Sequence, residues 1–355
     1  MGNNIVASFA AGLSRKMGML AAVVLAAAVS MPSLSHAEDH GMKDPARDHY
    51  YQVFKGKRVV FVPVFMGLDL TEGWSKMMKQ QADLLGYKYE VRNANFDTSK
   101  GIQILTTLIH ENPKPDVIVV HNPDVTSYAR LEKQAEKDGI FVIQLNMHSL
   151  VTTTGFAGGD AVTIGEMQAK AVVNHCGANT SKKVLILTGP TTAPWSVFLQ
   201  KGYDNVLSKH SDIKIVARQS TGNYDSSKAK QITQVVLQQH PDLCAVLGVW
   251  DIPDLGTAAA IKEAGKTGKV FLSTNGGGSD YACKAINDGS FDDYISFGVP
   301  GQGRDVNDLI SMALQMEGNG QKPGATKTML YSPLTEITKA NIQEHPCWSL
   351  KTVHY

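Results

Sequence analysis

Apolar residues fall along this chain in short solid runs, separated by longer stretches with helical spacing. The run RVVFVPVF at 58–65 reads as a buried strand, and EGWSKMMKQQADLLG at 72–86 as an amphipathic helix stopped by Gly86. KYEVRNA, DVIVVHN and FVIQLN then read as strands, with SKGIQILTTLIHE and VTSYARLEKQAEKDG as the helices between them. Such regular alternation of strand and helix signals predicts a parallel sheet covered by helices on both faces.

The pattern restarts with the helical segment AVTIGEMQAKAVVNHCG, which leads into KVLILTG at 183–189. Further strands follow at KIVARQS (214–220), AVLGVW (245–250), KVFLST (269–274) and YISFGV (294–299), with a helical segment between each pair. GQGRDVNDLISMALQMEG reads as one more helix, GNGQKPGATK as a surface loop and MLYSPLTEIT as a last strand. The two halves agree in pattern but not in residues. The expected fold is α/β, with two similar doubly wound parallel-sheet lobes.

Residues 1–37 do not fit this scheme. Arg15 and Lys16 precede the apolar run MGMLAAVVLAAAV at 17–29, which is too short for a membrane span. MPSLSHA follows, with Ser35 and Ala37 as the small residues of a cleavage site. Together these predict a secretory signal peptide over 1–37 and a periplasmic protein with no lipid anchor. Residues 38–55 read as a polar, loosely ordered segment, whose His40 and His49 lack neighbours at metal-ligand spacing. Charged residues make up 19% of the chain and the formal net charge is +1, which argues against a nucleic-acid partner.

In doubly wound sheets, ligands sit outside the carboxyl ends of the strands. The first half places Asp69 and Trp74, then His121 and Asn122, then Asn146, Met147 and His148 at or just beyond such ends. The second half places Trp195, Tyr224, Trp250 with Asp251, Asn275 and Phe297 there. Indole faces beside carboxylates and amides suit a hydroxylated ring, whose C–H faces stack while its hydroxyls satisfy polar groups that would be costly to bury alone. Plainer roles exist for the same residues. Asp251 also suits a helix cap ahead of Pro253, Trp250 plain core, Trp74 and Trp195 helix packing, and Asn146 and Asn275 turns. NGGGS at 275–279 resembles an anion cradle but lacks the lysine of a P-loop. There is no G-x-S-x-G, no H-E-x-x-H and no cysteine beside a histidine at a strand end. No spacing makes Asp69, Asp251 and His148 an acid–base set. The reading is therefore a non-enzyme with no catalytic residue, metal or cofactor.

The chain resembles the type I periplasmic solute-binding proteins of ABC transporters, in their ribose/galactose-binding branch. ADLLGYKYEV, DVIVVHNPD, GIFVIQLN, INDGSF and above all LQQHPDLCAVLGVWDIPDLGTAAAIKEAGKTGKVFLSTNGG carry the resemblance, which runs from about Arg58 to Thr338. It implies two lobes joined by three crossings, 56–149 with 300–332 and 150–299 with 333–355. These would close on a small-molecule ligand, a sugar or polyol, for delivery to an inner-membrane permease. The family's Asn-Asp strand end falls on Trp250 and Asp251, and its site aspartate on Asn275. Its Asp-Arg pair falls on Asn146 and Met147, a site phenylalanine on Tyr224 and a site glutamine on Phe297. The family's clamping arginine falls near Leu199, and GLDLTEGW replaces its first loop. These departures imply a ligand other than ribose: a different sugar, a polyol, or a flatter and less polar solute such as a nucleoside or aromatic compound. A sensor subunit signalling to a membrane kinase or chemoreceptor would share the same fold and site. The protein is expected to act as a monomer.

Four cysteines in an exported protein suggest disulfides, and three pairings are open. Cys176 lies just before the second lobe's first strand, and Cys244 at the start of its third. In the sheet order 2-1-3 those starts are neighbours. That order predicts Cys176–Cys244 and leaves Cys283–Cys347.

Overall fold

A computed structural model describes residues 43–355; the signal-peptide segment 1–37 lies outside the described residues. A short helix, α1 (Pro45–Val53), is followed by β1 (Arg58–Val62), α2 (Asp69–Leu85), β2 (Lys88–Val91), α3 (Thr98–His110), β3 (Val117–Val120), α4 (Ala129–Lys137), β4 (Phe141–Leu145) and β5 (Gly155–Gly158). The second series is α5 (Ala161–His175), β6 (Lys183–Thr188), α6 (Pro194–Leu207), β7 (Lys214–Ser220), α7 (Ser226–Gln239), β8 (Ala245–Leu247), α8 (Asp251–Glu263), β9 (Phe271–Gly276), α9 (Asp280–Asn287) and β10 (Asp293–Ser296). The chain ends with α10 (Val299–Gly318), β11 (Thr328–Tyr331) and β12 (Thr335–Ile337).

The strands form two six-stranded sheets, in the orders β11-β5-β4-β3-β1-β2 and β12-β10-β9-β8-β6-β7. Every pairing is parallel except that of β10 with β12. The two orders are equivalent position by position, so the repeat seen in the sequence is a repeat of topology. Solid apolar runs become central strands because both faces are covered: β3 and β4 are buried at every residue. The chain passes from one sheet to the other three times, after β5, after β10 and after β11.

The structure corrects four details. The segment GFAG forms β5 of the first sheet, so the first crossing comes after Gly158 and not at 149/150. Glycines carry no strand signal, yet the packing here is close: a Cβ on Gly155 would come within 3.1 Å of Leu309 on α10, and one on Gly158 within 2.9 Å of the Asn146 Cα. MLYSPLTEIT is not one strand. Pro333 separates β11 from β12, and these join different sheets. AVLGVW keeps strand pairing only over Ala245–Leu247. Finally, Pro45–Val53 is helical, and Val53 and Phe54 are buried against the first lobe's core.

Candidate functional site

Facing strand ends of the two sheets meet around a small, partly open cavity of about 30 Å³, lined by Phe65, Leu70, His121, Asn146, Met147, Trp195, Tyr224, Trp250 and Phe297. Phe65, His121, and Asn146 with Met147 come from the ends of β1, β3 and β4. Trp195, Tyr224, Trp250 and Phe297 follow β6, β7, β8 and β10. The walls thus gather at the points where each sheet's strand order reverses, as the fold dictates.

Five aromatic rings dominate. Phe65 reaches across to Trp250, with centroids 6.1 Å apart, and is backed by Phe96 stacked at 4.6 Å. Tyr224 meets Trp250 edge-on at 5.8 Å, and Trp195 meets Phe297 at 5.0 Å. Trp195 is fixed by its Nε1–H, which donates to the Val249 carbonyl at 3.2 Å. Asn146 sits in the left-handed region at φ 60°, a conformation asparagine tolerates better than most residues. Its Oδ1 accepts from Gln302 at 3.2 Å, which leaves its amide N–H groups uncommitted.

Polar groups in and around the cavity are under-satisfied. Neither ring nitrogen of buried His121 has a hydrogen-bond partner among the described residues, nor does Nε1 of Trp74, whose ring meets the imidazole edge-on at 5.4 Å. Burial pushes the His121 pKa down to about 3, so the ring is neutral. The Tyr224 hydroxyl lies by Ser196, whose oxygen already accepts from the Gly189 amide, and makes no well-formed hydrogen bond. Such buried, unspent groups are what a bound polar ligand would satisfy. Beyond Asn146 and Trp195 lies a more polar recess with His148, Asp160 and Lys201 in its walls.

Of the ten residues expected to meet a ligand, Asn146, Met147, Trp195, Tyr224, Trp250 and Phe297 line the cavity. Asp69, Asn122, Asp251 and Asn275 are not among its lining residues. Asp69 begins α2. Asn122 donates to Glu132 and to the Met147 carbonyl, and Asn275 to Gln168 and the Val249 carbonyl, so both amides brace the lobes from within. Asp251 is fully buried and its Oδ2 accepts from the Tyr294 hydroxyl at 2.7 Å. It does not cap α8 as an N-cap. Trp250 holds that position, and Asp254 reaches back to accept from its N–H. Phe65, Leu70 and His121 complete the walls without having been singled out as ligand contacts. His121 stands at a strand end, where the strand-end rule carried its signal, whereas Phe65 lies three residues beyond β1 inside an apolar run. Among the described residues no group of His, Cys, Asp and Glu is placed to hold a metal.

Burial raises the Asp251 pKa to about 7, with the Tyr294 hydroxyl opposing. A carboxyl that holds its proton more tightly when folded stabilises most below its unfolded value. That contribution is lost as pH rises from about 4 to about 7, by at most about 1.4 kcal/mol per unit. Asparagine does not titrate. Asp251→Asn should therefore gain stability relative to the parent protein between pH 5 and pH 8. Paired thermal melts would check this, and a pH-independent difference would contradict it.

Two lobes of equivalent strand order with an aromatic cavity between their strand ends define a bilobed ligand-binding protein. The chain belongs to the periplasmic binding protein family: that family's domain matches residues 59–320. It is 27% identical over 265 residues to the D-ribose/D-allose-binding protein of Pseudomonas aeruginosa, covering 71% of this chain and 77% of that one. It is 26% identical to the xylitol-binding protein of Mycolicibacterium smegmatis, covering 66% of each chain. The Caulobacter myo-inositol binding protein, solved with myo-inositol, shares the fold with a TM-score of 0.71 at 22% identity, over 81% of this chain and 95% of that one. The family is one of binding proteins. Among the described residues no helix is long and apolar enough to cross a membrane.

Proposed function

We propose that this protein captures a small, uncharged, hydroxylated solute between its lobes in the periplasm and passes it unchanged to the permease of an ABC importer, acting as a monomer. The observation that carries this reading is the cavity at the facing strand ends, with aromatic walls from both lobes and unspent polar groups at His121, Asn146 and Tyr224. The relatives named for ribose, allose and xylitol support the class of solute, and the family supports capture over catalysis. Trp250, Trp195 and Phe65 would stack on the solute's faces. Asn146, His121 and Tyr224 would meet its hydroxyls. Asp251 and Asn275 would hold the walls in place from behind.

A thermal-shift screen of sugars, polyols and cyclic alcohols tests this. A solute at about 100 times its dissociation constant should stabilise the protein by about 2.7 kcal/mol and be recovered chemically intact. Trp250→Phe, which keeps a ring but shrinks it, should weaken binding about tenfold with a smaller loss of stability. Conversion of the solute, or no stabilisation by any member of the screen, would sink the reading.

A further inference from the structure

The composition of the cavity wall narrows the solute, on the premise that this cavity is the capture site. Among the described residues its lining contains no Asp, Glu, Lys or Arg. A fully hydroxylated sugar ring carries a hydroxyl on nearly every carbon, each both a donor and an acceptor. Against that demand the lining holds only three side chains with uncommitted hydrogen-bonding groups, the neutral His121 ring, the Asn146 amide N–H groups and the Tyr224 hydroxyl, and the His121 nitrogens and Tyr224 oxygen are themselves buried. The remaining surface is Phe, Trp, Leu and Met. A hydroxyl buried there without a partner is costly, and each one left unpaired would weaken binding by roughly tenfold or more. Apolar ring faces, by contrast, gain from packing against Phe65, Trp250 and Trp195.

We infer that the solute is a neutral single ring with apolar faces and few hydroxyls, of the phenol or cyclic-diol class, and not a fully hydroxylated sugar. His121 is suited to such a hydroxyl because its neutral imidazole has one nitrogen to donate and one to accept. Asn146 donates, and Tyr224 does either.

Titration calorimetry of the purified protein with catechol, cis-1,2-cyclohexanediol, D-ribose and myo-inositol tests the inference. Catechol or the cyclohexanediol should bind at least about tenfold more tightly than ribose or inositol. Tyr224→Phe, which removes one hydroxyl and keeps the ring, should weaken that binding about fivefold. Equal or tighter binding of ribose or inositol would overturn the inference while leaving solute capture intact. Binding of none of the four overturns the inference too, and the broader screen then decides whether capture itself stands. Ring binding that neither Tyr224→Phe nor Trp250→Phe alters would place it outside this cavity and also overturn the inference.

Discussion

Gly202→Ala should destabilise the protein by about 2–3 kcal/mol, although alanine is the better helix former by about 1 kcal/mol. Gly202 lies on α6 where it crosses α5, and Gly165 faces it from the other helix. A Cβ on Gly202 would stand 2.2 Å from the Val162 carbonyl oxygen and 2.9 Å from both the Glu166 nitrogen and the Gly165 Cα. All three are backbone atoms, so no side chain can swing aside and the helices must separate. That movement would pull on Tyr203, whose hydroxyl donates to the Gly248 carbonyl at 2.6 Å, and on Trp195, tied to the Val249 carbonyl. Both carbonyls lie on the segment leading to Trp250. The substitution should therefore lower ligand affinity as well as the melting temperature, without touching the cavity. Gly301→Ala is the matching control. It lies in the first turn of α10 with nothing within 4 Å of its would-be Cβ, and should leave stability unchanged or raise it by up to about 1 kcal/mol. Denaturant titration of both variants checks the pair. Equal stabilities would mean that the α5–α6 contact yields more easily than its geometry indicates.

How far the sequence could be read follows the same physics. Solid apolar runs bounded by helices announce central strands of a doubly wound sheet, because only strands buried on both faces need them. Gly155–Gly158 escaped since it is small rather than apolar: β5 lies under α10, and its glycines are chosen for closeness, which hydrophobic pattern does not register. The strand-end rule located the cavity, but residue type does not tell which way a side chain turns. Where the chain leaves β8 and turns into α8, neighbouring side chains diverge. Trp250 turns into the cavity, while its neighbour Asp251 turns into the lobe to meet Tyr294. Asn122 and Asn275 have the right chemistry for hydroxyls but spend their amide N–H groups on internal carbonyls and side chains, a commitment visible only once distant segments meet. Phe65 was concealed by its own surroundings, since the last residue of an apolar run looks like core.

Removing the Cys176–Cys244 disulfide by replacing both residues with alanine should cost about 4 kcal/mol and lower the melting temperature by roughly 10 °C. The bridge is present as the sheet order implies: Cys176 ends α5, Cys244 leads into β8, and both are buried. It closes a separation of 68 residues, and the loss follows from the entropy the unfolded chain regains. The Cys283–Cys347 bridge spans 64 residues, so chain entropy alone assigns it nearly the same value. The two differ in what they hold. The first pins α5, whose Gln168 donates to the Gly248 and Ser273 carbonyls and accepts from Asn275, beneath the Trp250 strand end. The second ties α9 to the C-terminal segment, where Trp348 donates to the Gly277 carbonyl and Lys76 of the first lobe to the Leu350 carbonyl. Denaturant titrations of the two double variants should give similar losses of stability, with a further drop in ligand affinity for the Cys176–Cys244 pair. A loss below about 1 kcal/mol for that pair would show that α5 and β8 hold together through packing and Gln168 without the covalent link.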